Sequence, residues 1–202
     1  MNCTKLKPIQ TKYAGHLFRS RLEARWAVFF DSLKVRWEYE KEGFDFDGTW
    51  YLPDFYLPHL DLWIEIKPEP QEGIDHWPEH IGFDYFKYEE FVLLQGRPTI
   101  SHYGKIGVYE SDKKIYSIPF GPNIEYVGYV SGDCGYYWCE CQECGLISIQ
   151  FDGRSDRSPC KERFGGKCKP ISVNEDKGYN RDSERLVNAY LKATYANFEN
   201  KD

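Results

Sequence analysis

A carboxylate and an ammonium group on one predicted strand are the clearest chemical signal in this chain. Residues 61–67 alternate polar and apolar side chains with period two, which is typical of a half-buried strand. Glu65 and Lys67 therefore emerge on the same face of that strand. Asp54, preceded by Pro53, adds a second carboxylate eleven residues before Glu65. Two carboxylates beside an ammonium group could hold a divalent ion and a water molecule, as metal-assisted hydrolysis of a phosphodiester requires.

Each of these features also has an ordinary structural explanation. Many strands carry glutamate and lysine on their solvent-exposed face, and Pro-Asp is a common turn dipeptide. Neither the Glu65 and Lys67 pair nor the Pro53-Asp54 dipeptide identifies a site by itself. The combination of turn, strand and upstream helix carries more information than either feature alone.

The upstream helix is predicted at residues 21–33. Ser20 followed by Glu23 fits a capping box, which would start the helix at about Arg21. Glu23 then has two compatible roles: its carboxylate satisfies the backbone amide of Ser20, or it reaches from the edge of the buried stripe toward the sheet. The apolar residues that would form this stripe recur at helical spacing and are Leu22, Trp26, Phe29, Phe30 and Leu33.

The residues after this helix predict a series of strands. Asp47-Gly48 is a hairpin turn signal, and Pro53 interrupts the strand that contains it. A continuous apolar run before Gly96 is typical of a buried central strand. The order of helix and strands would bring Glu23, Asp54, Glu65 and Lys67 into one site. The predicted strands span residues 35–40 continued by 44–46, then 50–57, 61–67 and 91–95.

Three stretches occur in the order FRSRLEARWAVFF, YLPDFYLP and LWIEIKP. Together they resemble the PD-(D/E)xK nuclease superfamily, and more closely a group of small phage and bacterial nucleases with this core, over about residues 13–68. The resemblance implies an α/β (α+β) protein with a restriction-endonuclease-like mixed sheet flanked by helices. It also implies that Asp54 and Glu65 bind Mg²⁺ or Mn²⁺, that Lys67 orients or activates the attacking water, and that Glu23 helps to hold metal or water.

The function that this resemblance implies is metal-dependent endonucleolytic hydrolysis of DNA. Two alternatives stay open from the sequence. One is a catalytically inactive protein that binds DNA or a partner on a nuclease-like fold, and the other is a nuclease that acts on RNA or branched DNA. Cutting both strands of a duplex requires two active sites or two visits, so a homodimer is a further open option.

The composition is that of a folded globular protein. With 41% hydrophobic and 29% charged residues, the chain is not of the intrinsically disordered class. No apolar run approaches the roughly 18 residues of a membrane span, and the N-terminus lacks the apolar middle region of a secretory signal. We therefore expect a cytoplasmic protein of a bacterial or phage-infected host cell, with no membrane partner.

The seven cysteines predict a structural zinc site. Cys3 stands alone and the other six lie between residues 134 and 168; an odd count with tight spacing favours metal ligation in a reducing compartment over disulfides. Four thiolates would bind Zn²⁺ as a closed, non-catalytic site. The alternative is that some of these cysteines are simply buried. The favoured ligands are Cys141, Cys144, Cys160 and Cys168, with Cys139 as the rival for either early position.

The charges are unevenly distributed around a net charge of −6. Residues 1–42 carry nine Lys and Arg against five Asp and Glu, whereas residues 43–90 carry twelve Asp and Glu against two Lys. Phosphate would approach so acidic a segment through bound cations. A basic patch near the last cysteines would contact the DNA backbone, or would neutralise carboxylates within the protein. Its members are Arg154, Arg157, Lys161, Arg163, Lys167 and Lys169.

These features predict three regions. Residues 1–129 would form the nuclease core, residues 130–172 an inserted zinc-binding module, and residues 173–202 would contain a helix that packs on the core. This closing helix is predicted within residues 183–198, where the residues that lie roughly on one face are Leu186, Tyr190 (or Ala189), Ala193 and Asn197.

Overall fold

The computed structural model describes residues 7–46, 48–68, 91–100, 106–107, 136–142, 144–151, 179–180 and 183–198. In these segments the chain is a mixed α and β protein with two helices and several small sheets. The helices are α1 (Arg21–Ser32) and α2 (Glu184–Thr194). The strands are β1 (Thr11–Tyr13), β2 (His16–Phe18), β3 (Glu38–Tyr39), β4 (Phe44–Phe46), β5 (Thr49–Tyr51), β6 (Phe55–Leu57), β7 (Leu62–Lys67), β8 (Phe91–Gln95), β9 (Thr99–Ile100), β10 (Ile106–Gly107), β11 (Tyr136–Cys141), β12 (Ile147–Phe151) and β13 (Tyr179–Asn180).

The sheet with most strands in the described part has the order β3-β6-β7-β8. Strands β3, β6 and β7 are antiparallel neighbours, whereas β8 runs parallel to β7. Ile64 in the middle of β7 lies opposite Phe55 on one side and Val92 on the other. The sheet is therefore mixed. The remaining strands form the pairs β1-β2, β4-β5 and β9-β10 and the triplet β12-β11-β13.

Two predicted strands are divided in the structure. The strand expected at residues 35–40 and continued by 44–46 is paired only at Glu38–Tyr39, and Glu40 then turns the chain with a φ of 45°. Phe44–Phe46 belongs instead to a separate hairpin with β5, whose turn contains Gly48 at a φ of 85°. The strand expected at residues 50–57 is also divided, because proline has no backbone N–H to continue a ladder at Pro53.

The run at residues 91–95 is a strand, β8, but it is not central in the described sheet. It lies at one end of the order β3-β6-β7-β8. Leu94 is fully buried there. An apolar run indicates burial on both faces, and burial alone does not fix a position in the strand order.

Helix α1 begins where the sequence predicts. Ser20 is the N-cap, and its Oγ accepts the Glu23 amide hydrogen bond at 3.2 Å while donating to Glu23 Oε1 at 2.6 Å. The capping box differs in one detail, since the other carboxylate oxygen of Glu23 accepts from the Arg19 amide at 3.1 Å rather than from Ser20. The helix ends at Ser32 because Lys34 adopts a left-handed conformation, with a φ of 55°.

Replacing the N-cap is expected to cost about 1 kcal/mol of stability. In Ser20→Ala the Glu23 amide loses its acceptor, and for a chain of this size the melting temperature should fall by roughly 2–4 °C. Thermal unfolding followed by circular dichroism measures this change. Ser32→Ala, the same chemical change in the last turn of α1, serves as the control and should stay within about 0.5 kcal/mol of the parent. Equal effects of the two substitutions would contradict the capping role.

Helix α2 packs against α1 through one apolar face. Its buried residues belong to the same core cluster as the buried face of α1 and the apolar side of β6 and β7. Arg25 of α1 donates to the Ala193 carbonyl at 2.6 Å and also bonds to the Thr194 carbonyl, so it satisfies the C-terminal end of α2. Asn197, expected on this face, is exposed because the helix ends at Thr194. The buried residues of α2 are Leu186, Ala189, Tyr190 and Ala193.

The cysteine-bearing strands also contribute to this core. Trp138 of β11 and Ile147 of β12 are buried in the same cluster, and the Trp138 ring contacts Phe29 and Phe30 edge-on at 5.7 and 5.8 Å. Arg185 of α2 donates to the Gly145 carbonyl at 2.8 Å in the β11–β12 turn, and to the Leu33 carbonyl after α1. One side chain thus joins both helices to the hairpin.

The predicted division at residues 1–129, 130–172 and 173–202 stays a prediction, because residues 108–135 and 152–178 lie outside the described part of the chain. Within the described part, neither helix is long and apolar enough to cross a membrane. Helix α1 has 12 residues and α2 has 11.

Candidate active site

Asp54 is buried immediately before β6, one strand of the β3-β6-β7-β8 sheet (the main sheet). In the register of β6 against β7, Ile66 would face Pro53, but β6 begins only at Phe55. The Asp54 carboxylate takes the place of the missing backbone acceptor, and its Oδ2 accepts from the Ile66 amide at 2.7 Å. Its Oδ1 accepts from Arg19 Nη2 at 2.8 Å. Asp54 is 3% exposed, so both oxygens depend on these protein donors.

Glu65 and Lys67 emerge on the same face of β7, as the alternation predicts. Lys67 Nζ is paired with Glu65 Oε1, and the Tyr51 hydroxyl donates to Glu65 Oε2 at 2.7 Å. The strand is more deeply buried than the expected half-buried strand, because the β4–β5 hairpin covers its second face. Phe44 of this hairpin packs edge-on against Trp63 at 5.0 Å. Glu65 is therefore buried, whereas the Lys67 side chain is 29% exposed to solvent.

Glu23 is a buried carboxylate as well as a helix-capping residue. Besides Ser20 and the Arg19 amide, it accepts from the Tyr39 hydroxyl at 2.6 Å. Tyr39 belongs to β3, so this bond connects the start of α1 to the main sheet. Glu23 therefore accepts from the Arg19 amide instead of the predicted Ser20 amide, and it also reaches the sheet through Tyr39.

The three carboxylates are close enough to act on one another. The pKa of Asp54 is raised well above its ordinary value, first by burial and then by the negative charges of Glu65 and Glu23. The Ile66 amide and the Lys67 ammonium oppose this rise and do not cancel it. Glu23, Glu65 and Lys67 thus all lie within electrostatic range of Asp54, and the four residues form one cluster. Its negative charge is incompletely compensated by protein groups.

Three residues of this cluster were missed by reasoning from the sequence. Tyr51 donates a hydrogen bond to Glu65, and Tyr39 donates one to Glu23. The pKa of both phenols is raised above its ordinary value, mainly by burial and then by the neighbouring carboxylate. They therefore remain protonated donors at neutral pH. Arg19 contacts Asp54 directly. The only signal for Arg19 was its place immediately before the N-cap, and tyrosines are too frequent here, at 16, to be singled out.

Arg19 connects the buried cluster to the surface. Its Nε lies 2.8 Å from Glu40 Oε1, and its side chain is 53% exposed. Burial would lower the pKa of the guanidinium, but the Asp54 charge, with Tyr39, Glu40 and Glu23, outweighs this effect and raises it. Arg19 therefore stays charged at neutral pH.

No family model, curated protein or solved structure matches this chain. What the cluster can do must therefore follow from its own chemistry. Within the described ranges, no group of three or more His, Cys, Asp and Glu side chains is arranged to hold a metal ion. Mg²⁺, however, is often bound by one or two carboxylates, with water and substrate phosphate oxygens completing its shell. The donor set of Asp54 and Glu65 fits that mode, and a cation beside Asp54 would lower the pKa that burial, then Glu65 and Glu23, raises.

Only the first half of the predicted zinc site lies in the described part of the chain. Cys141 and Cys144 flank the turn between β11 and β12, where the Gly145 amide donates to the Cys141 carbonyl at 2.8 Å. Cys139 and Cys141 are buried and Cys144 is exposed. The other predicted ligands and the basic patch lie outside the described residues: Cys160, Cys168, Arg154, Arg157, Lys161, Arg163, Lys167 and Lys169.

Proposed function

We propose that this protein is a metal-dependent endonuclease that hydrolyses DNA phosphodiester bonds. One observation carries the proposal: three buried carboxylates and a lysine lie close together, and burial, followed by the charges of Glu65 and Glu23, raises the pKa of Asp54. The three motif stretches quoted above support the same activity. The PD-(D/E)xK likeness implies a restriction-endonuclease-like fold. The mixed sheet of β6, β7 and β8, which shares a core with α1, supports this proposal.

The energetics favour a functional site over a structural cluster. Burying a carboxylate is costly, and buried ionic groups are often no more stabilising than apolar residues of similar volume. Groups with strongly perturbed pKa values also concentrate at catalytic and binding sites. Here Asp54, Glu23 and Glu65 are buried close together with the repulsion between them only partly offset. Such an arrangement is suited to accepting a cation.

The chain's own residues have distinct roles in the proposed reaction. When bound, Mg²⁺ or Mn²⁺ would lower the pKa of a water ligand and stabilise charge on the phosphate oxygens. Asp54 and Glu65 would hold the cation, and Tyr51 fixes Glu65 in place for this role. Lys67 would orient the attacking water or donate to the phosphate. Glu23 would help to hold metal or water from the start of α1.

The proposed hydrolysis exchanges one P–O bond for another. The water oxygen forms a bond to phosphorus, and the bond from phosphorus to one deoxyribose oxygen breaks. The proton lost by the water passes to solvent or to a neighbouring base, and the leaving oxygen takes up a proton. No other reactant is consumed. The products are a phosphate monoester end and a hydroxyl end.

The cysteine module and the basic patch complete the proposal. We propose Zn²⁺ on Cys141, Cys144, Cys160 and Cys168, with Cys139 as the rival ligand, as a structural site. The hairpin turn between Cys141 and Gly145 supports this assignment, because it brings the first two thiols to one end of β11. The basic residues between positions 154 and 169 would contact the DNA backbone and offset the acidic core.

Lys67→Ala is expected to reduce cleavage by about 10²- to 10⁴-fold, the usual contribution of a positioned proton donor or acceptor. Purified protein is incubated with Mg²⁺ or Mn²⁺ and duplex, single-stranded or branched DNA, or RNA, and the products are resolved by electrophoresis. Lys192→Ala, at an exposed position of α2, is the control and should cleave like the parent. If the parent binds DNA but cleaves none of these substrates, the protein is a non-catalytic binder. Equal cleavage by Lys67→Ala would remove Lys67 from the mechanism.

A further inference from the structure

The Arg19 guanidinium occupies a position between the carboxylate cluster and solvent. One end of it bonds to the buried Asp54 Oδ1 at 2.8 Å, and the other bonds to Glu40 Oε1 at 2.8 Å. With Asp54 Oδ2 engaged by the Ile66 amide, Oδ1 is the oxygen that can change partners. Arg19 is therefore the protein cation that holds the exchangeable oxygen of the proposed metal ligand.

The backbone of Arg19 is fixed while its side chain reaches outward. Its amide contacts both Glu23 Oε2 and the Tyr39 hydroxyl at 3.1 Å, directly before the N-cap of α1. The side chain, in contrast, is 53% exposed. An anchored backbone with a half-exposed long side chain allows the guanidinium to change partners without moving the elements that form the site.

We propose that Arg19 is the phosphate-binding residue of this site: cation binding at Asp54 and Glu65 displaces its guanidinium, which then binds the phosphodiester. This inference rests on the proposed nuclease function and adds a residue to it. Because Glu40 contacts the Nε side of the guanidinium, Arg19 would remain at the rim of the site after release from Asp54.

The exchange is favourable on electrostatic grounds. Asp54 is buried and Arg19 is half-exposed, so the guanidinium can move into solvent when another cation takes its place beside the carboxylate. A divalent ion compensates two carboxylates at once, whereas the guanidinium contacts one carboxylate of the buried cluster. Arginine presents a planar fork of donors that matches two phosphate oxygens. Cation binding would therefore release the Arg19 guanidinium to bind phosphate at an otherwise acidic site.

The test compares Arg19→Gln with the parent in two separate measurements. Mg²⁺ binding to the full chain without DNA is followed by calorimetry, and removing the competing guanidinium should tighten it about two- to fivefold. Steady-state cleavage of duplex DNA should lose about 10- to 100-fold in kcat/KM, mainly through KM, as loss of a charged hydrogen bond to phosphate predicts. Arg19→Lys should recover part of this loss.

The opposite directions of the two effects separate this role from a structural one. A merely structural Arg19 would weaken both metal binding and cleavage when replaced. Arg36→Gln removes an exposed arginine with a surface ion pair at 3.5 Å and serves as the matched control, expected to change neither. Unchanged KM or weaker Mg²⁺ binding in Arg19→Gln overturns the inference. If the parent itself neither binds Mg²⁺ nor cleaves, the proposed function fails, and Arg19 with it.

Discussion

Asp54→Asn is expected to abolish DNA cleavage while the protein stays folded. The substitution keeps the shape of the side chain and removes its negative charge, and with it a proposed ligand for the cation. Metal ions supply several kcal/mol of transition-state stabilisation, and each ~1.4 kcal/mol is a factor of ten in rate. We therefore expect a loss of about 10³-fold or more in kcat/KM. Initial rates with Mg²⁺ on the best substrate of the parent measure this loss.

The same substitution should raise the stability of the metal-free protein at neutral pH. Because the pKa of Asp54 is raised in the folded state, the folded protein binds this proton more tightly than the unfolded chain does. Stability linked to this group is therefore fully present below pH 3.8, and it is lost as pH rises toward the raised pKa. The asparagine side chain cannot ionise, so the variant does not lose this stability. Asp54→Asn should therefore melt at a higher temperature than the parent at pH 7 and at about the same temperature near pH 4.

Glu42→Gln provides the matched control for this carboxylate-to-amide change. Glu42 is exposed in the connection between β3 and β4, so Glu42→Gln should cleave DNA like the parent. Cleavage by Asp54→Asn at a rate near that of the parent would remove the site from the proposal. A lower melting temperature at pH 7 in the absence of metal would instead show that the bond between Asp54 and the Ile66 amide outweighs the carboxylate repulsion.

Trp26→Ala is expected to destabilise the protein by about 3–5 kcal/mol, the usual cost of truncating a buried large aromatic side chain. Trp26 is fully buried in α1 and packs against Phe29 and Phe30 at 5.3 and 6.0 Å. Domains are stable by only about 5–15 kcal/mol, so this one change removes a large part of the total. Urea denaturation followed by circular dichroism measures the free energy of unfolding.

Trp26 also has a polar role, which Trp26→Phe isolates. Its Nε1 donates to the Gly96 carbonyl at 3.0 Å, and the Gly96 amide donates to the Lys67 carbonyl at 2.8 Å. Trp26→Phe leaves this buried carbonyl without its donor and should cost about 1–3 kcal/mol. Trp50→Ala is the control, because Trp50 is 67% exposed. Equal destabilisation by Trp26→Ala and Trp50→Ala would contradict the packing of Trp26 in the core.

The local elements of the site could be predicted because their signals lie within a few residues. The start of α1 follows from the spacing of Ser20 and Glu23, and β7 follows from its period-two alternation. The shared face of Glu65 and Lys67 requires only that residues 62–67 form a strand. Such predictions depend on backbone geometry over one or two turns or a single strand, which the residue types control directly.

The partners of these residues could not be predicted, because they depend on pairings between distant segments. Arg19 reaches Asp54 across 35 positions, and Tyr51 reaches Glu65 from the hairpin that covers β7. That hairpin was expected to be part of two longer strands. The left-handed turn at Glu40 and the ladder break at Pro53 free it to fold over the second face of β7. No residue type in the sequence specifies which surface such a hairpin will cover.

The contacts of Arg185 have a consequence for how the molecule unfolds. Its guanidinium bonds to carbonyls beyond α1 and in the β11–β12 turn, next to the Trp138 ring packed on Phe29 and Phe30. Detaching the cysteine hairpin would expose these rings to water and at the same time break the bond from Arg185 to the Gly145 carbonyl. We therefore expect the hairpin and the helices to unfold in one cooperative transition, in which the hairpin does not open by itself.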